Sequence, residues 1–207
     1  MSLEIWISFV LASGVLLAIP GPTLMIVISY ALSGGRRTAL ATMPGVALGD
    51  LTAMTISLLG AGAVLAASAT LFTLLKVAGA LYLVWLGFRL WRAEGGVEDV
   101  AARAPRSPLA MFRTAYIVTA LNPKGIVFFV AFVPQFVNVN EPAFVQFAIL
   151  EATFVTLAAV NVLIWAFLAG TVKQRFASPG AVRLMNRTGA GFLIAAGLLT
   201  ALVRRTA

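Results

Sequence analysis

Apolar residues fill this chain in runs of about twenty or more, punctuated by short polar segments rich in arginine. A membrane span needs about 20 apolar residues, and the pattern predicts helices near 3–30, 39–66, 71–91, 110–134, 143–170 and 187–204. The polar stretch 92–109, with Glu94, Glu98, Asp99, Arg103, Pro105, Arg106 and Pro108, divides them into two triplets. Two runs are broken from within. Pro20-Gly21-Pro22 interrupts the uncharged run between Glu4 and Arg36, and Asn122-Pro123-Lys124-Gly125 interrupts the fourth. Proline lacks a backbone donor and clashes with the preceding turn, so each break stops one helix and starts another. In lipid an unpaired backbone group costs several kcal/mol, so such breaks survive only against protein or a wet cavity. Breaks at matching places in two halves point to a transport site.

Composition settles the class. Of 207 residues, 61% are apolar and 11% charged, with a mean hydropathy of +1.00. A soluble domain carries roughly 25% charged residues. The expectation is an all-α, polytopic membrane protein with one transmembrane domain over 1–207: repeat one 1–92, linker 93–109 and repeat two 110–207. The apolar N-terminus lacks a basic leader and reads as a retained first span.

The net charge of +8 needs no nucleic acid to explain it. Arg36-Arg37, Arg103-Arg106 and the basic residues from Lys173 to Arg187 all fall on alternate loops, whereas 66–72 and 134–142 have no lysine or arginine. The positive-inside rule makes the basic loops cytoplasmic. Six spans put both termini outside; Arg204 and Arg205 run against that, and five spans with a re-entrant segment would remove the conflict. Cysteine and histidine are absent, which removes thiol chemistry and leaves carboxylates and lysine to carry protons.

The halves resemble each other. Gly79-Ala80, Tyr82-Leu83 and Gly87 recur as Gly189-Ala190, Phe192-Leu193 and Gly197, while Pro22 and Asp50 recur as Pro123 and Glu151. Glycine- and alanine-rich helices resemble one another by chance. Agreement of prolines and carboxylates goes beyond that. Three spans per half makes the arrangement an inverted repeat with broken helices one and four.

Three charges lie deep in the runs: Asp50, Lys124 and Glu151. A central charge costs about 2.5–3.5 kcal/mol on insertion, so the three are expected to compensate one another inside the bundle. A structural network would do the same, but ionisable residues within membranes mark substrate and proton routes by default. Restarted helices offer free N–H groups and a positive dipole end to an anion. The candidate carboxylate site is therefore Pro20, Gly21, Pro22, Thr23, Asn122, Pro123 and Lys124. Asp50 and Glu151 are the candidate proton or ammonium partners. Both signs together suit a zwitterion. A cation or metal-ion exporter using Asp50 and Glu151 is the alternative, which Lys124 disfavours. No nucleotide loop or catalytic constellation indicates ATP, another cofactor or an enzyme. Small-residue faces permit a homodimer.

These residues also carry a resemblance. Pro20-Gly21-Pro22, Gly45 through Gly49-Asp50, Lys76-Val77-Ala78-Gly79-Ala80-Leu81-Tyr82-Leu83 with Gly87 and Trp91-Arg92, and Asn122-Pro123-Lys124 leading to Phe128-Phe129 and Pro134-Gln135-Phe136 follow one another in order. In this the chain resembles the LysE/RhtB-type amino-acid exporters, the lysine and homoserine/threonine exporter family of bacterial inner membranes. The resemblance implies export of an L-amino acid or close analogue by a secondary transporter driven by the proton-motive force. It places Asp50, Lys124 and the prolines on the family's motifs.

Overall fold

A computed structural model describes residues 1–19, 21–92, 107–138, 141–172 and 179–202. Pro20, the linker arginines Arg103 and Arg106, Lys173, Arg175, Arg204 and Arg205 lie outside the described residues. The described chain is all-α, with no strand among those residues. Its helices are α1 (Leu3–Ala18), α2 (Pro22–Gly34), α3 (Ala39–Ala67), α4 (Ala69–Trp91), α5 (Pro108–Ala120), α6 (Pro123–Val127), α7 (Ala143–Val172) and α8 (Pro179–Leu202). After α6 the chain widens into a π-helical turn over Phe128–Phe132 and tightens into a 3-10 turn over Val133–Phe136.

Local chemistry sets these boundaries. Ser68 and Ser107 accept from the N–H groups of Leu71 and Ala110, capping α4 and α5. Pro22, Pro108 and Pro123 occupy first turns, where a missing N–H costs nothing. α3, α4, the composite 108–136 and α7 are each long and apolar enough to cross a membrane. The pair α1–α2, bent by 58°, makes a fifth crossing when taken together. α8 has 24 residues, but Arg183, Asn186 and Arg187 make its first turns polar. Leu59 and Leu81 are 69% and 65% exposed while Asp50 is 7% exposed. An apolar outside around a polar inside is the pattern lipid demands.

Glycines bring two helix pairs to backbone contact. On α3, Gly45 and Gly49 lie against the Phe112 and Tyr116 carbonyls of α5, where a Cβ would overlap them. Between α4 and α8 the contact is reciprocal. A Cβ on Gly87 would stand 2.9 Å from the Ala190 carbonyl oxygen and 2.7 Å from Ile194 Cγ1. One on Gly197 would stand 2.7 Å from the Ala80 carbonyl oxygen and 2.8 Å from Val84 Cγ2. Adding 110 to Gly87, Ala80 and Val84 gives Gly197, Ala190 and Ile194, so the two contacts exchange places. The core beside this scaffold is aromatic: Phe128, Phe129, Phe132 and Phe154 pack ring on ring.

Candidate functional site

The two breaks meet in the middle of the bundle and bond to each other. At the second, Asn122 ends α5 and caps α6, its Oδ1 accepting the Lys124 N–H at 3.1 Å. Its Nδ2 crosses to the first break and donates to Thr23 Oγ1 at 3.1 Å. Thr119 Oγ1 donates to the same oxygen at 3.2 Å. In the other direction, Lys124 Nζ donates to the carbonyls of Leu16 and Ile19 at 3.0 Å each. Those carbonyls end α1, where Leu16 keeps only a long 3.3 Å bond from the Ile19 N–H and the dipole is negative. An ammonium satisfies both needs.

Asn161 of α7 completes the capping of α1: its Nδ2 donates to the Leu17 carbonyl at 3.2 Å. The first break is left open on its other side. Gly21 is the N-cap of α2 and has no side chain with which to accept an N–H, so Thr23 and Leu24 present donors without an intrahelical partner. Gly21 is also where the lysine passes: a Cβ there would stand 3.3 Å from Lys124 Nζ.

Gly21, Thr23, Asn122, Lys124 and Asn161 line a cavity of about 40 Å³ together with Leu24, Val27, Asp50 and Phe154. That volume takes one or two waters. Asp50 and Lys124 both face it without a direct ion pair within 4 Å, so opposite charges flank the space instead of filling it. Two larger hollows, about 420 and 400 Å³, flank the α3–α5 seam by Arg37 and Met111 and by Thr52 and Ile117. Neither contains a carboxylate or a residue of a break.

Gly21, Thr23, Asn122, Lys124 and Asp50 are thus brought together. Pro22 and Pro123 make the breaks but are exposed, facing away from the cavity. Glu151 is not in the wall. It accepts a hydrogen bond from Thr55 Oγ1, one turn beyond Asp50 on α3, at the α3–α7 contact. Among the described residues no three His, Cys, Asp or Glu side chains converge as a metal site would require.

The model of the LysE type translocators matches residues 14–203. The chain belongs to this family. It is 33% identical to an uncharacterized membrane protein of Vibrio cholerae over 97% of this chain and 98% of that one. It is 30% identical to the homoserine/homoserine lactone efflux protein of Salmonella typhimurium over 99% of both. No solved structure matches it. Family, relatives and apolar helices together make the chain a multi-pass membrane translocator. Within this LysE-type translocator, sequence reasoning left Asn161 without a role. Its signal was there: an amide ten residues after Glu151, deep in a mostly apolar run.

Proposed function

We propose that this translocator exports an L-amino acid or close analogue from the cytoplasm by proton antiport. The homoserine and homoserine lactone efflux named for its relatives makes those two compounds the first to test. The observation that supports this most is the crossing of the two breaks around Asp50 and Lys124. A carboxylate would meet the remaining Lys124 donor and the free N–H groups of Thr23 and Leu24; an ammonium would meet Asp50. Asp50 and Glu151 are the proposed proton carriers, on facing helices one turn apart. Moving one charge through 100 mV is worth about 2.3 kcal/mol, so one proton sustains roughly a fifty-fold gradient.

The cavity is too small for an amino acid, so loading requires the breaks to separate. An inverted repeat of six spans, with the arginine-rich loops in the cytoplasm, supplies that motion: each half rocks against the other about the mid-plane site. The exchange of places between the Gly87 and Gly197 contacts supports the repeat.

Expression in a strain lacking its own amino-acid exporters tests the reading. Resistance to homoserine and to toxic amino-acid analogues is expected to rise, with the amino acid appearing in the medium. Unchanged amino-acid release together with raised tolerance to a metal salt would overturn it.

A further inference from the structure

Many hydroxyls inside these helices bond back to their own backbone. Ser8, Ser33, Thr42, Thr52, Thr153 and Thr156 each donate to the carbonyl four residues back. That bond hides a polar group which lipid and core would otherwise penalise. Ser13 makes no such bond. It is 0% exposed, and its Oγ has no hydrogen-bond partner. A buried group left unpaired in a native fold calls for an explanation, and a partner met during transport is one.

Its position supplies the ligand. The buried stripe of α1 is Phe9, Ser13 and Leu16. Leu16 lines the central cavity, and its carbonyl holds Lys124. One turn the other way, Phe9 packs edge-on against Phe136 at 5.4 Å, and Phe136 against Phe132 at 5.2 Å. Ser13 therefore stands one turn out from the site and one turn in from an aromatic seal, on the side of the α1 N-terminus.

We propose that Ser13 lines the release route: its hydroxyl hydrogen-bonds the polar head of the departing amino acid once Phe9 and Phe136 part. This rests on the exporter reading and adds where the cargo leaves. The chain has no cysteine, so Ser13→Cys carries the single thiol, close to isosteric with the residue replaced.

In membrane vesicles of each orientation, a membrane-impermeant thiol reagent is expected to modify Ser13→Cys from the side of the α1 N-terminus, slowed by excess homoserine, with export lost on modification. A thiol unreactive from that side while the variant still exports overturns the proposal. Wild-type protein that moves no amino acid overturns the exporter reading instead, whatever the labelling. Ser13→Ala adds a second readout. Removal of an unpaired hydroxyl is expected to leave the thermal midpoint unchanged or higher while export slows several-fold. A lower midpoint with unaltered export would show a merely structural residue.

Discussion

The two breaks do opposite jobs. The second is self-sufficient: Asn122 caps its own restarting helix, and the π-helical turn carries the chain on. The first is incomplete on both sides. The carbonyls that end α1 are satisfied by Lys124 and Asn161 from other helices, and the donors that begin α2 are uncapped behind Gly21. One break thus supplies side chains and the other receives them. The uncapped donors lie at the receiving break, where an anion would have the most to gain.

Substitutions at each end of that division can break or sharpen it. Lys124→Ala removes the ammonium bonds to the Leu16 and Ile19 carbonyls and leaves Asp50 without an opposing charge. A loss of the order of 3 kcal/mol in stability and of all measurable export is expected, read by thermal melting in detergent and by efflux. Gly87→Val and Gly197→Val each force a side chain into a facing backbone, at about 1–3 kcal/mol. The two should lower the thermal midpoint by similar amounts without changing the apparent substrate affinity of what folds; unequal effects would argue against equivalent halves. Gly21→Ala brings a methyl group to 3.3 Å from Lys124 Nζ, closer than most contacts, so export is expected to fall several-fold with the fold intact. Asn161→Ala removes one bond to α1, worth about 1 kcal/mol, and should slow export by a smaller factor still.

Much of this was legible in the residue order because lipid leaves few choices. Twenty-residue apolar runs must be helices, Pro22 and Pro123 must restart them, and the deep charges Asp50 and Lys124 must turn inward. Partners were not legible. Asn122 meets Thr23 across 99 residues, and Asn161 meets Leu17 across 144. Such pairings depend on how helices rotate and tilt, which an almost uniformly apolar sequence specifies weakly. Glu151 shows the cost: read as a third member of one cluster, it bonds Thr55 outside the cavity wall. Ser13 looks like any small residue beside Ala12 and Gly14 until its hydroxyl is found without a partner.

Counterflow in reconstituted vesicles tests the mid-membrane site most directly. Vesicles loaded with unlabelled homoserine are given labelled homoserine outside, with wild-type protein or with Asp50→Asn, which keeps the shape and removes the charge. Wild type is expected to accumulate label transiently, and Asp50→Asn to lose that accumulation while remaining folded. Accumulation by Asp50→Asn at the wild-type rate would contradict a substrate site between the two breaks.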